Sequence, residues 1–320
     1  MAKENNQFTA TPHFDDIETE DAILQTRRLH TYGREALKLG LRVDTIFVQH
    51  TRFKEGLKDL DRIFQIARDV NMPHGLCLVG PTGVGKTALL RFFFESLPRS
   101  TLFAPGYGCV RIRVGARPTA GQLIAALLRG YRYPFASISE KTIYMRKDQA
   151  IDLVRLKGTR LIFVDEAHNL LHQVRRRGND HGEPDATVFL SELMDETNVA
   201  LVLGGSKELD QLESIDSYLA DRVSGRVELR YFEPNPEWVA LLRAFSEACT
   251  WFSLKIIEDP VQAKLLHTAS GGSPRRLKRQ LTEAVLVAAE AKSTSVTIEH
   301  LKSAYALVYG VHGQRTSPYA

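Results

Sequence analysis

The stretch of sequence that decides the fold is a glycine-rich loop between an apolar run and a helical segment. It reads Gly80-Pro81-Thr82-Gly83-Val84-Gly85-Lys86-Thr87. The apolar run 76–79 predicts a strand, and residues 88–94 predict a helix. In this order the glycines let successive backbone N–H groups point at phosphate oxygens, beside the positive end of the helix. The sequence therefore predicts a phosphate-binding loop.

Two side chains of this loop suit nucleotide phosphates and their metal ion. The ammonium group of Lys86 can reach the β- and γ-phosphates, and the hydroxyl of Thr87 can bind Mg²⁺. We therefore predict that residues 80–87 bind ATP together with Mg²⁺.

A second apolar run, 161–164, ends in two carboxylates. A buried strand would bring Asp165 to the carboxyl edge of a sheet, where it can hold Mg²⁺ opposite Thr87. Glu166 follows and can orient and deprotonate the attacking water. We therefore predict an ATPase that forms ADP and phosphate.

Residues 165–168 spell Asp-Glu-Ala-His, which is also a helicase box. Helicases of that kind need two tandem motor domains and a late arginine-rich motif. Neither the length of this chain nor its sequence supplies them, so the helicase interpretation is disfavoured.

The order of apolar runs predicts a doubly wound α/β fold with a parallel five-stranded sheet. Helical segments separate most of the runs, which cover 76–79, 109–114, 161–164, 199–203 and 227–230. After Pro234 only helical patterns follow. We predict an N-terminal extension over 1–44 that is flexible, then helical from about Ile17 to a break at Gly40. The α/β domain covers 45–233, a helical lid domain 234–310 and a disordered tail 311–320.

Composition favours a soluble globular protein. Of the 320 residues 43% are hydrophobic and 25% charged, and no run of eighteen apolar residues occurs. The N-terminus does not resemble a signal peptide, so we expect a cytoplasmic protein without a membrane partner. Residues 1–25 carry a net charge of −5, which leaves +9 on the rest of a chain whose net charge is +4. A basic body is compatible with a polyanionic partner.

Three further elements decide the family. Ser206 ends the fourth strand, Arg222 closes the sequence Leu-Ala-Asp-Arg, and Arg275 follows Gly-Gly-Ser-Pro at the start of a helix. Together with the two nucleotide motifs they resemble the AAA+ ATPases over about residues 45–310. The resemblance implies that Ser206 is the first sensor, Arg222 the arginine finger that reaches a neighbouring subunit, and Arg275 the second sensor. Arg226 competes with Arg222, and Arg276 with Arg275.

Within AAA+ the chain is most similar to transposition regulators of the TniB/TnsC type. The features are its compact length, the run 46–53 before a helix, and the Leu-Ala-x-Arg element. This resemblance implies an ATP-dependent oligomer, a ring or a filament, that binds double-stranded DNA and links a target-selection protein to a transposase. It also implies that ATP hydrolysis is slow and regulatory. The resemblance leaves two alternatives: a replication initiator or helicase loader, and a scaffold that holds ATP without turnover.

Basic residues give candidates for contacts with DNA phosphates, because AAA+ rings that encircle DNA contact it through loops that line the pore. Such contacts would be independent of base sequence and sensitive to salt. One group of candidates is the run of three arginines at residues 175–177. The principal candidates are Arg113, Arg117, Thr119, Arg146 and Lys147.

Overall fold

The computed structural model describes most of the chain in two compact units. The α/β unit contains Val48–Trp238 and Ser270–Arg276, and the helical unit contains the described residues before Val48, Val239–Ala269 and those from Leu277 onwards. The domain boundaries at 44/45 and 233/234 stay predictions. The described residues are 31–67, 70, 74–97, 108–134, 136–139, 141–173, 185–310 and 317–319.

The α/β unit is built on a parallel sheet of five strands in the order β2-β3-β4-β1-β5. This confirms the predicted fold class. The fifth strand begins and ends two residues earlier than the predicted run 227–230. The strands are β1 (Gly75–Val79), β2 (Cys109–Arg113), β3 (Leu161–Asp165), β4 (Ala200–Gly205) and β5 (Gly225–Glu228).

Twelve α-helices lie in the described residues, and none of them is long and apolar enough to cross a membrane. The described residues also contain three short 3₁₀ turns, which cover Ala167–His172, Lys207–Gln211 and Lys255–Glu258. The helices are α1 (Arg34–Thr45), α2 (Thr51–Ile66), α3 (Lys86–Ser96), α4 (Ala120–Gly130), α5 (Ile143–Leu156), α6 (Ala186–Thr197), α7 (Leu212–Ile215), α8 (Ser217–Arg222), α9 (Pro236–Ala248), α10 (Pro260–Ser270), α11 (Pro274–Glu290) and α12 (Ile298–Tyr309).

The centre of the sheet is entirely buried, because every residue of β3 and β4 is covered on both faces. One face packs on the apolar sides of α4, α5 and α6. Strand β2 is an edge strand, and its alternate residues Arg111 and Arg113 are exposed. The register places Asp165 beside Arg113 on one side and Gly204 on the other. The predicted site carboxylates, Asp165 and Glu166, therefore lie at the carboxyl edge of the sheet.

Helix α1 differs from the sequence-based prediction. The predicted break at Gly40 is wrong, since α1 runs through Gly40 to Thr45. A Cβ atom at this position would lie only 2.6 Å from Cδ2 of Leu286. The glycine therefore permits close packing against α11 and does not end the helix. The earlier part of the predicted helix, from Ile17, lies outside the described residues.

The C-terminal tail also differs in part from the prediction of disorder. Tyr319 is buried in the helical unit, and its hydroxyl accepts a hydrogen bond of 2.8 Å from Nε2 of Gln280. Its ring packs edge-on against Tyr305 at 6.0 Å between centroids. An aromatic side chain buries enough surface to offset the cost of ordering a short segment. Residues 311–316 and 320 lie outside the described part of the chain.

Candidate nucleotide-binding site

The loop between β1 and α3 has the backbone geometry of a phosphate cradle. Gly83 and Gly85 have φ values of 83° and 109°, a region that favours glycine. Lys86 is the first residue of α3, so the free N–H groups of the helix N-terminus face the loop. The loop thus has the left-handed glycines and the adjoining helix start that an anion-binding turn requires, and its binding of phosphate stays a prediction.

Lys86 folds back over this loop. Its Nζ donates hydrogen bonds to the carbonyl oxygens of Gly80, at 2.6 Å, and Pro81, at 3.1 Å. Burial lowers the pKa of Lys86, the negative charges of Glu166 and Asp165 oppose that shift, and the positive charge of Arg275 adds to it. Three other predicted site residues, Glu166, Asp165 and Arg275, thus act electrostatically on the ammonium group of Lys86.

Asp165 ends β3 and is almost fully buried, with 10% of its side chain exposed. Its Oδ1 accepts a hydrogen bond of 3.1 Å from the backbone N–H of Glu166. Its Oδ2 forms an ion pair with Arg111 of the neighbouring strand. The prediction from sequence missed Arg111. The alternation of Arg111 and Arg113 along β2 was the available signal, because residues two apart in a strand share one face.

Glu166 follows Asp165 in a left-handed conformation, with φ 57° and ψ 34°. Its two carboxylate oxygens face different partners. Oε1 lies 3.8 Å from Nη2 of Arg113, and Oε2 lies 3.7 Å from Nδ1 of His168. An open cleft of about 470 Å³ lies beside Glu166 and Arg113. The carboxylate is thus reachable from solvent at the sheet edge.

Ser206 directly follows β4, where the predicted first sensor should lie. Its Oγ is buried and has no hydrogen-bond partner in the described part of the chain. A buried hydroxyl without a partner is costly, which makes this position a candidate for binding a ligand oxygen.

Two segments of the α/β unit hold the phosphate loop from outside. The hydroxyl of Tyr231 donates a hydrogen bond of 2.7 Å to the carbonyl oxygen of Thr82. The backbone N–H of Arg275, at the start of α11, donates one of 3.2 Å to the carbonyl oxygen of Gly83. The predicted second sensor therefore lies against the loop. Tyr231 is a supporting residue that the sequence did not reveal.

The two candidate arginine fingers are both paired. Arg222, the last residue of α8, forms an ion pair with Asp195 of α6 at 2.7 Å. Arg226 pairs with Asp210 and lies 4.0 Å from Glu228. The structure describes a single chain, so the assignment of either arginine to a neighbouring active site stays a prediction.

Three of the predicted DNA contacts lie between the end of β2 and the start of α4. Arg113 is the last residue of β2, and Arg117 follows with a φ of 51°. Thr119 is the N-cap of α4, where its Oγ1 accepts a hydrogen bond of 3.3 Å from the N–H of Gln122. A structural role therefore accounts for Thr119, whereas Arg117 is exposed.

The other two predicted contacts lie on α5 and have partners within the chain. Lys147 forms an ion pair of 2.7 Å with Glu192 of α6, and only 22% of its side chain is exposed. Arg146 donates a hydrogen bond of 2.8 Å to Gln149. The basic cluster 175–177 lies outside the described residues.

These residues fit a Mg²⁺–nucleotide complex. The hydroxyl of Thr87 and the carboxylate of Asp165 are hard oxygen donors, which Mg²⁺ prefers. The loop offers backbone N–H groups to phosphates, and within the described residues Lys86 donates to the loop carbonyls of Gly80 and Pro81. Phosphate oxygens are stronger acceptors for that ammonium group, because they are charged.

Comparison with known families identifies the chain. The family described as bacterial TniB protein matches residues 42–232, which is more than half of the sequence. The chain belongs to the TniB family. The predicted resemblance to this type is thereby confirmed. A comparison with curated proteins finds no match.

Solved structures share the AAA+ fold of this TniB protein. ORC2 of Aeropyrum pernix, in ADPNP and ADP complexes, matches with a TM-score of 0.63 and 16% identity over 86% of this chain and 72% of that one. ORC1 of Aeropyrum pernix in complex with DNA matches with a TM-score of 0.59 and 22% identity, over 82% and 66%. Cdc6p of Pyrobaculum aerophilum matches with a TM-score of 0.59 and 15% identity, over 82% of this chain and 69% of that one. At these identities the likeness shows the fold alone.

Proposed function

We propose that this TniB protein is an ATP-hydrolysing, DNA-binding oligomer that regulates DNA transposition. It would link a target-selection protein to a transposase. The observation that carries the proposal is that the loop after β1, which leads to Lys86, and the carboxylates Asp165 and Glu166 at the end of β3 share the carboxyl edge of one parallel sheet. The family match supports transposition as the process.

Each residue of the site has a distinct part in this proposal. The loop N–H groups and Lys86 bind the phosphates, and Thr87 and Asp165 hold the metal. Bound Mg²⁺ neutralises charge on the phosphate oxygens. Glu166 accepts the proton of the attacking water, while Ser206 and Arg275 stabilise charge at the γ-phosphate. The α/β domain, 45–233, would carry this site, and the helical residues 234–310 would form its lid.

DNA binding and assembly are supported by charge and by likeness. The chain outside residues 1–25 carries a net charge of +9. The ORC1 protein of similar fold was solved in complex with DNA. We propose that subunits assemble on double-stranded DNA, as a ring or filament, and that Arg222 or Arg226 completes the neighbour's site.

A replication initiator is the second candidate, because the ORC and Cdc6 structures share the fold. Their identities of 16% and 15% carry no function, whereas the family match favours transposition. The third candidate, a scaffold without turnover, is disfavoured by an intact Glu166 beside the phosphate loop.

Dissociation from a non-specific duplex tests the ATP switch. Glu166→Gln keeps the shape of the side chain and removes the base, so the variant should bind ATP, assemble and stay on DNA longer than wild type. Lys86→Ala is the matched control: it should bind neither ATP nor DNA stably, because it lacks the cation at the phosphates. Equal lifetimes for wild type and Glu166→Gln would favour the scaffold.

A second arm separates transposition from replication. Duplex DNA coated with the Glu166→Gln protein should retain a purified transposase and should not retain a replicative helicase. Retention of the helicase alone would favour the initiator function.

A further inference from the structure

His168 lies two residues after Glu166, on the same side of the chain, and has no part in the roles described so far. The left-handed conformation of Glu166 turns the chain sharply from β3 into the 3₁₀ turn that contains His168. This turn brings Nδ1 of His168 to 3.7 Å from Oε2 of Glu166. A small rotation of either side chain would close this distance to a hydrogen bond.

The ring nitrogen Nδ1 of His168 is a buried polar atom whose hydrogen-bonding capacity is unused in the described part of the chain. The same holds for Oγ of Ser206. The ring packs on the end of β4, where a Cβ on Gly205 would lie 3.2 Å from Nδ1. Buried polar atoms without partners are uncommon in native proteins, and they need an explanation such as a catalytic role.

Glu166 has a competing partner on its other oxygen. Nη2 of Arg113 lies 3.8 Å from Oε1, and 73% of the Arg113 side chain is exposed. A general base must lie within hydrogen-bond distance of its water, and a small misplacement costs much of the rate. A donor on the buried side would keep the carboxylate from rotating towards Arg113.

We propose that His168 is a positioning residue for ATP hydrolysis. In the competent site, Nδ1–H of His168 donates a hydrogen bond to Oε2 of Glu166 and holds the carboxylate towards the attacking water. This inference rests on the proposed function, since it presumes that Glu166 activates water. It requires the tautomer that carries the proton on Nδ1.

Three substitutions at one position test the inference. His168→Asn places an amide N–H where Nδ1 lies, whereas His168→Gln places it where Nε2 lies. We expect His168→Ala to lower kcat roughly ten- to a hundredfold, the effect of losing a hydrogen bond to a charged group, with KM for ATP unchanged. His168→Asn should restore most of kcat, and His168→Gln should behave like His168→Ala.

A second background and a folding control complete the experiment. In the Glu166→Gln protein, His168→Ala should lower the residual rate no further, because the carboxylate that it positions is gone. Thermal unfolding of each variant separates misfolding from lost positioning, and the Asn and Gln variants decide the case if the alanine variant does not fold.

The outcomes distinguish this inference from the proposed function. A wild-type kcat for His168→Ala, or equal rescue by Asn and Gln, would overturn the positioning role alone. A wild-type protein that binds ATP without hydrolysing it would overturn the proposed function, and this inference with it.

Discussion

Arg222 and Asp195 form a bidentate ion pair that joins the end of α8 to α6. Nη2 of Arg222 donates to both carboxylate oxygens, at 2.7 and 3.0 Å, and Nε donates to Oδ1 at 3.0 Å. Tyr218 completes the arrangement, since its ring lies 3.3 Å from the guanidinium carbon and its hydroxyl donates to Asp195 at 2.9 Å. Only 16% of the Arg222 side chain is exposed. To reach a neighbouring subunit, Arg222 must therefore leave Asp195.

The first prediction concerns this exchange of partners. Asp195→Asn keeps the shape of the side chain but holds the guanidinium with a neutral amide, so Arg222 is released more easily. We expect the ATPase rate per subunit to reach half its maximum at about fivefold lower protein concentration, which corresponds to about 1 kcal/mol. The measurement is the ATPase rate across a protein dilution series.

Mixed subunits provide the control for that prediction. Arg222→Ala and Glu166→Gln are each expected to keep only a small residual ATPase rate, and their mixture should recover activity because some sites combine an intact Glu166 with a donated Arg222. Arg226→Ala is the matched variant. If the mixture of Arg222→Ala and Glu166→Gln recovers no activity although the subunits are shown to co-assemble, Arg222 is not the finger. Loss of activity in Arg226→Ala alone, with recovery when it is mixed with Glu166→Gln, would assign the role to Arg226 instead.

The second prediction concerns the two arginines of β2. Arg111 pairs with Asp165, the proposed metal ligand, and Arg113 faces Glu166, the proposed base. Arg111→Ala removes a competitor of Mg²⁺ and should lower the Mg²⁺ concentration for half-maximal activity by up to about fivefold, because a half-exposed ion pair contributes at most about 1 kcal/mol. Titrations with Mg²⁺ at saturating ATP measure this change.

Arg113→Ala is the matched control for Arg111→Ala, since the two residues are two positions apart in β2 and lie on the same face of the strand. It should alter kcat and leave the Mg²⁺ requirement unchanged. An identical shift in both variants would show that the net charge of the strand, and not the pair with Asp165, determines metal affinity.

The parts of the site that the sequence predicted are those encoded by short, local patterns. The glycine spacing places Lys86 at the start of a helix, and the run 161–164 is apolar because β3 is buried on both faces. Edge strand β5 was misplaced by two residues. Its first residues, Gly225 and Arg226, pair with β1 through backbone atoms while remaining partly exposed, so the apolar pattern does not mark them.

The parts that the sequence did not predict are side-chain pairs between distant elements. Asp195 precedes Arg222 by 27 residues and Arg111 precedes Asp165 by 54. Such pairs depend on how helices and strands pack, and no local periodicity records them. Sequence analysis therefore predicted the candidate site residues but not the side chains that pair with them.

The third prediction concerns the pH dependence of stability. Nδ1 of His50 accepts the N-cap hydrogen bond of α2 from Phe53, at 3.4 Å, so the neutral ring is required. Burial and then the charge of Arg52 lower the pKa of His50 to about 4, opposed by Glu237. The folded state thus binds the proton less readily than the unfolded chain, whose His pKa is about 6.5. The contribution is complete above pH 6.5 and decreases as the pH falls towards 4.

His50→Asn isolates this contribution, because Asn is a good N-cap that does not titrate. The free energy of unfolding of wild type should fall relative to His50→Asn by about 2 kcal/mol between neutral pH and pH 4, allowing for the partial exposure of the ring. Chemical denaturation at several pH values measures the difference. A constant difference across this range would contradict the assignment.

The last prediction concerns DNA and uses the contrast between Arg117 and Lys147. Arg117 is exposed in the segment after β2, whereas Lys147 is held by Glu192 at 2.7 Å. Arg117→Gln should weaken binding to any duplex and reduce the slope of log affinity against log salt by about 0.9, the value for one phosphate contact. Lys147→Gln should lower the stability of the fold and leave that slope unchanged. Duplex binding with ATP at several salt concentrations measures both slopes. An unchanged slope for Arg117→Gln, in a protein that still assembles, would exclude Arg117 from the DNA interface.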